Sequence, residues 1–139
     1  DLSALALRAD SEQAPVFACA LPGCSYFLSI PYTPVRSLMD ANVPVALATD
    51  YNPGSAPSGN MSRVVQMGMV KMKMHPLEAI AAATINGAAA MGVSDVAGTI
   101  APGRSANLVL TKPMSGLETL GYAFGEEPVE KVFIDGVQQ

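Results

Sequence analysis

Val43-Pro44-Val45-Ala46-Leu47-Ala48-Thr49-Asp50-Tyr51-Asn52-Pro53-Gly54-Ser55-Ala56-Pro57-Ser58-Gly59-Asn60 begins as an apolar run, reaches a carboxylate, and continues into a crowd of Asn, Pro, Gly and Ser. The first part reads as a strand apolar on both faces, which is what a parallel sheet covered by helices requires. The second part can be neither helix nor strand. In parallel sheets ligands sit beyond the carboxyl ends of the strands, so Asp50 and the loop after it stand where a site belongs. An ordinary turn uses the same residues, because Asx side chains bond nearby backbone and Pro-Gly suits a type II turn. The pattern alone leaves both readings open.

Upstream, Val16 to Leu21 is a second continuous apolar run, bounded by Pro15 and Pro22-Gly23, and is predicted to be a strand buried on both faces. Pro22 to Tyr26 reads as loop. From Pro34 to Ala41 the spacing turns helical, with Val35, Leu38 and Met39 on one side and Arg36, Ser37 and Asp40 on the other. Strand, loop, helix and strand in this order fit a right-handed parallel crossover, which puts the loops after Leu21 and Asp50 at one edge of the sheet, facing one pocket. Before Val16, Leu2, Leu5 and Ala6 suggest a short helix leading into a polar loop from Arg8 to Glu12. The absence of an initiator Met and of domain-opening signals suggests a piece of something larger.

Downstream, Met61 to Met74 is helix-like, with Met61, Val64, Val65 and Met72 able to share a face, and Gly68 weakens it by about 1 kcal/mol relative to Ala. Its five methionines (61, 67, 69, 72 and 74) read as core packing. His75-Pro76-Leu77-Glu78 is a helix start, with Pro at the first helical position and Glu in the first turn. The Ala-rich helix is expected to run to Met91, capped by Gly92, with Leu77, Ile80, Ala81, Thr84, Ala88 and Met91 forming its packing face. His75, the only histidine, fits a capping or surface role, since a catalytic metal site needs several nitrogen ligands. Ala101 to Arg104 reads as a tight turn, Ala106 to Leu110 as a strand, Thr111 to Pro128 as a polar segment, and Val129 to Ile134 as a strand closed by a hairpin-type turn at Asp135-Gly136.

The composition supports burial and narrows the partners. Half of the 139 residues are hydrophobic and 14% are charged, enough for one domain with a real core. The net charge of −4 and scattered basic residues offer no stripe for a phosphate backbone, so nucleic acid is not an expected partner. No apolar run reaches the length of a membrane span and no signal-like segment opens the chain, which leads to the expectation of a cytoplasmic protein without membrane contact. Cys19 and Cys24 are too far apart for a Cys-x-x-Cys motif and read as packing residues.

Three blocks carry a resemblance. Leu21-Pro22-Gly23 with Tyr26-Phe27-Leu28, Ala46-Leu47-Ala48-Thr49-Asp50-x-Asn52-Pro53-Gly54-Ser55, and Pro76 to Gly92 with Gly98 to Leu110 resemble the C-terminal part of metal-dependent amidohydrolases of the imidazolonepropionase type. The resemblance implies an α/β fold: the C-terminal part of a (β/α)8 TIM-like barrel, with Val16–Leu21 and Val45–Thr49 as its last two parallel strands, plus C-terminal strands of a small β-sandwich. It implies a boundary between residues 1–97 and 98–139. It makes Asp50 the acid that contacts one divalent zinc or iron ion and takes a proton from the bound water. It makes Asn52, Gly54 and Ser55 the contacts of a small-molecule substrate, 4-imidazolone-5-propanoate, opened to N-formimidoyl-glutamate in histidine degradation. The family's metal histidines and its substrate-binding arginine and tyrosine belong to earlier strands, so the chain by itself is expected to be inactive and without metal. Its partner is then the remainder of the barrel, and open sheet edges give a route to homo-oligomers. Asn107 stands where an Asp is common in the family, a change expected to touch a structural hydrogen bond. A nucleobase deaminase, another cyclic amidase, or a silent binding segment with Asp50 as a turn residue are the alternatives.

Overall fold

The computed structural model describes Leu2, Ala4, Leu5 and residues 16–139. Leu2, Ala4 and Leu5 are helical, as the opening spacing suggests, and the loop expected from Arg8 to Glu12 lies outside the described residues. The described residues form an α/β structure with two sheets. The first joins β1 (Ala18–Ala20) to β2 (Val45–Leu47) in parallel, with Ala18, Cys19 and Ala20 opposite Val45, Ala46 and Leu47. Both strands are shorter than the apolar runs that contain them. The crossover contains α1 (Pro22–Phe27) and α2 (Val35–Asp40).

α1 occupies residues expected to be loop. Pro22-Gly23 resembles turn chemistry, but Pro is equally suited to the first helical position, where its missing N–H would have no partner. The helix stops at Leu28, with Ser29 left-handed at φ 55°. β1 is also not buried on both faces. Ala20 is fully buried while Cys19, on the opposite face, is exposed, because the described residues supply little that covers that face of β1.

All three residues of β2 are buried, and the main core forms around it. Val35 and Leu38 come from α2, Val64 and Met72 from α3 (Met61–Met72), and Ala79 and Ala82 from α4 (Pro76–Ala83). Gly68 explains how closely α3 approaches: a Cβ there would sit 3.1 Å from both Leu47 Cδ1 and Met74 Sδ. Loss of helix propensity at Gly68 is offset by contact with the strand. Buried Met67, Met72 and Met74 fill core space as expected.

The Ala-rich helix is two helices, α4 and α5 (Ile85–Ala90), broken at Thr84, whose φ is −123° and ψ −82°. Thr84 Oγ1 donates to the Ile80 carbonyl at 2.7 Å, a bond to the preceding turn that bends helices. The packing face also differs from the expected one. Ala88 is buried as expected, but Leu77, Thr84 and Met91 are exposed and Ala79 and Ala82 are buried in their place, because only small residues fit between α4, α3 and β2. His75 caps α4 as expected: its Nδ1 accepts from the Leu77 N–H at 3.4 Å, and Glu78 Oε2 accepts from the His75 N–H at 2.8 Å. α5 ends with Gly92 and Val93 N–H groups donating to Ala89 and Ala88 carbonyls, a Schellman closure.

The second sheet is antiparallel, in the order β3 (Leu108–Thr111), β4 (Val129–Ile134), β5 (Val137–Gln138). Asp135 and Gly136 both have positive φ, 48° and 80°, the type I′ geometry of a two-residue hairpin. Asn107 Oδ1 accepts from the Asp135 N–H at 2.8 Å, so the residue in place of the common Asp does carry a structural hydrogen bond. The segment before β4 contains one short helix, α6 (Thr119–Tyr122), which packs on α3. Among the described residues no helix is long and apolar enough to cross a membrane.

Gly98 has φ +91°, and a Cβ there would lie 2.7 Å from the Ala88 Cβ and 3.1 Å from the Thr84 carbonyl oxygen. Gly98→Ala is therefore expected to destabilise by about 2–3 kcal/mol, measured by urea unfolding; a change within experimental error would contradict this packing. Glu78 receives Arg36 in a bidentate pair, Nη1 to Oε2 at 2.8 Å and Nη2 to Oε1 at 3.1 Å. That hydrogen bond first, and the His75 N–H second, hold the Glu78 carboxyl below its ordinary value of 4.5. A lowered folded-state value means that the unfolded chain binds the proton more readily. The stabilisation is thus full above pH 4.5 and is lost as pH falls through the lower folded value. The stability gap between wild type and Glu78→Gln should be small, since the pair is largely exposed, and should close on acidification; a gap that widens would refute the pairing.

Candidate active-site loop

β2 ends at Leu47, and Ala48 to Asp50 carry the chain past the carboxyl edge of the parallel pair. Asp50 is half-buried and left-handed, with φ 53°. Asp tolerates that region better than most residues, yet the conformation costs energy and must be held by its surroundings. Asn52 holds it. Its Nδ2 donates to the Asp50 carbonyl at 2.5 Å and to Ser55 Oγ at 2.9 Å, and its Oδ1 accepts from the Gly54 and Ser55 N–H groups at 2.9 and 2.8 Å. Backbone bonds between Asn52 and Ala56 close the loop at 3.1 and 3.3 Å.

Ser55 Oγ lies 3.3 Å from Asp50 Oδ2 and 3.1 Å from Asn52 Oδ1. The hydroxyl has one proton and already accepts from Asn52, so it donates to one of these two oxygens. Asn52 Oδ1 already accepts from two N–H groups, which favours the bond to Asp50. The four residues singled out from the sequence, Asp50, Asn52, Gly54 and Ser55, thus form one bonded cluster. The polar groups of the last three point largely at one another and shape the loop.

The loops after β1 and β2 do share a cleft, of about 330 Å³. Gly23, Tyr26 and Phe27 of α1 line one side, Ala56, Pro57 and Ser58 a second, and Asn60, Arg63, Val64 and Met67 the third. Asp50 is not among the lining residues. Its carboxylate instead lies near Cys19, whose thiol is pushed up first by desolvation and then by the negative charge of Asp50. Cys19 is exposed by area, so this desolvation comes from neighbouring protein atoms rather than from full burial.

Sequence reasoning missed α1 and with it the aromatic wall of Tyr26 and Phe27. It also missed Asn60, whose Oδ1 caps α3 by accepting from the Arg63 N–H at 2.8 Å. An Asn just before a helical run is a legible cap signal. Glu127, which binds Asn60 Nδ2 at 2.8 Å, is 67 positions away and had no local signal.

One carboxylate does not make a catalytic metal site. Among the described residues no three His, Cys, Asp or Glu side chains converge.

Comparison with known proteins gives a consistent picture. The amidohydrolase family profile matches residues 9–138. The imidazolonepropionase of Flavobacterium johnsoniae is 59% identical over 126 residues, 91% of this chain and 30% of the relative. That of Geobacillus thermodenitrificans is 40% identical over 130 residues, 94% of this chain and 30% of the relative. The chain thus spans about 30% of the length of the curated relatives it matches. A zinc-bound adenosine deaminase from Xanthomonas campestris superposes with a TM-score of 0.83 at 25% identity, covering 99% of this chain and 34% of that one. The guanine deaminase of E. coli superposes at 0.74 and 16% identity, over 99% of this chain and 35% of that one, a likeness of fold.

Asn52→Ala removes the hydrogen bonds that hold Asp50 and close the loop. The expected result is amide exchange at Tyr51 to Gly59 faster by at least about tenfold, with global stability lowered by about 1–3 kcal/mol. Unchanged exchange in that segment would mean that Asn52 does not organise it.

Proposed function

The chain belongs to the amidohydrolase family, and we propose that it is part of an imidazolonepropionase, a hydrolase that opens the ring of 4-imidazolone-5-propanoate to N-formimidoyl-glutamate in histidine degradation. The observation that carries this reading is 59% identity over 91% of the chain to an imidazolonepropionase, through the segment that builds the Asp50–Ser55 cluster. Residues 1–97 would be the closing portion of a TIM-like barrel, with β1 and β2 as its seventh and eighth strands, and residues 98–139 part of a small β-sandwich. The remainder of the barrel would supply the other ligands of one zinc or iron ion. The protein would work in the cytoplasm, and its open strand edges leave room for a homo-oligomer.

Within this chain, Asp50 would accept a proton during hydrolysis and return it to the leaving nitrogen, a task for a carboxylate in fixed geometry. Its left-handed backbone and its bond from Ser55 supply that geometry. Asn52, Gly54 and Ser55 would contact the substrate's propionate group. Ser55 Oγ can do so by rotating its proton from Asp50 to the ligand, and Gly54 lets the backbone approach closely. The alternative deaminase reading rests on the likeness to the Xanthomonas adenosine deaminase and is the weaker, at an identity of 25% against 59%.

Purified protein of the relatives' full length is expected to convert imidazolone propionate to formimidoyl-glutamate. Asp50→Asn should lower kcat about 10²- to 10⁴-fold, and Ser55→Ala should mainly raise KM. Turnover of a nucleobase or nucleoside alone would replace this reading with the deaminase one, and an Asp50→Asn enzyme of undiminished kcat would remove Asp50 from the chemistry.

A further inference from the structure

We propose that Glu127 is a positioning residue for the active-site loop, acting through Asn60. Asn60 ends the loop and begins α3. Its Oδ1 is occupied by the Arg63 N–H at 2.8 Å, and its Nδ2 donates to Glu127 Oε2 at 2.8 Å. This orientation of the amide is the one that satisfies both neighbours, since the N–H needs an acceptor and the carboxylate a donor. Glu127 Oε1 accepts from Ser62 Oγ and from the Val129 N–H, both at 3.2 Å. Every carboxylate oxygen of Glu127 is therefore engaged, at the amino end of a twelve-residue helix where negative charge is favoured. The Asn60 amide bond, followed by the Val129 N–H, also holds the carboxyl below its ordinary value.

Glu127 is itself held against α3. Buried Gln66 donates through Nε2 to the Glu126 carbonyl at 3.0 Å and accepts at Oε1 from the Gly125 N–H at 3.2 Å. Arg63 Nη2 donates to the Gly125 carbonyl at 3.2 Å. Positions 60, 63 and 66 share one helix face at i, i+3 spacing, so residues 125–127 lie along it like a strap. From Asn60 the bonds run back into the loop. Its N–H meets Ser58 Oγ at 3.3 Å, the Ser58 N–H meets the Ala56 carbonyl at 2.8 Å, and Ala56 pairs with Asn52, which holds Asp50. A carboxylate from the C-terminal segment thus fixes one end of the loop whose other end carries the acid.

Spatial continuity by itself is not coupling, so the test must read the loop. The kinetic arm rests on the hydrolase reading above; the exchange arm does not. In protein of the relatives' full length, Glu127→Ala is compared with Asn107→Ala, which removes a hydrogen bond in the antiparallel sheet, both at conditions of equal fraction folded. Glu127→Ala should speed amide exchange at Tyr51 to Gly59 and lower kcat/KM about tenfold, a small misplacement of reacting groups being enough for such a loss. Glu127→Gln, which can accept from Asn60 or from Ser62 and Val129 but not from all three, should recover part of both. Asn107→Ala should change neither. Exchange at Tyr51 to Gly59 that is unchanged in Glu127→Ala, or raised equally in Asn107→Ala, would overturn the proposal. If Glu127→Ala does not fold, the same comparison is decided with Glu127→Gln. A protein without hydrolase activity would remove the kinetic arm with the hydrolase reading, while the exchange result still decides the role of Glu127.

Discussion

The contact of α3 and α4 with β2 is the constraint on which the rest depends. β2 is three residues long and buried throughout, so most of what orients it comes from side chains packed against it rather than from its own ladder. Gly68 on α3 and Ala79 and Ala82 on α4 permit helix-to-strand distances that larger residues would forbid. Asn86 of α5 adds a polar fixture, its Nδ2 donating at 2.8 Å to the Val45 carbonyl. Because carbonyls alternate along a strand and the neighbouring Pro44 carbonyl bonds Ala18 of β1, the Val45 carbonyl faces the other edge. That edge would otherwise expose an acceptor without a donor.

A strand held this firmly delivers Asp50 to a defined position, and the loop then works as a rigid object. Asn52 replaces several backbone partners at once, and the left-handed turn at Asp50 is maintained by bonds from residues two to five positions ahead. Rigidity of this kind would suit the proton transfer proposed for Asp50, since geometry is then settled before a substrate arrives. The strap of residues 125–127 along α3 extends the same logic to the far end of the loop.

Much of this was legible in local pattern. Val45 to Asp50 reads as buried strand and terminal acid, Met61 to Met74 as a helix that in the structure ends at Met72, His75-Pro76-Leu77-Glu78 as a capped start, and Asp135-Gly136 as a hairpin turn, because each depends on neighbours within four residues. What misled was competition between readings of equal local merit. Pro22-Gly23 suits a turn or a helix start, and the helix won. The Ala-rich run suits one long helix, yet it divides at Thr84, whose hydroxyl bonds back to Ile80. The face holding Leu77 and Met91 is the more apolar, but the face holding Ala79 and Ala82 is the one that fits.

The sequence by itself determined the α/β class, the positions of Asp50, Asn52, Gly54 and Ser55 in one loop, and the crossover that sets β1 beside β2. These follow from periodicity and from the chemistry of short segments. Only the tertiary structure decided that Asp50 stands outside the lining of the cleft, which helix face is buried, and that Glu127 reaches Asn60 across 67 positions. Such choices depend on which surfaces can approach closely enough to exclude water and satisfy each buried polar group, and that is a property of elements in contact rather than of any one stretch of chain.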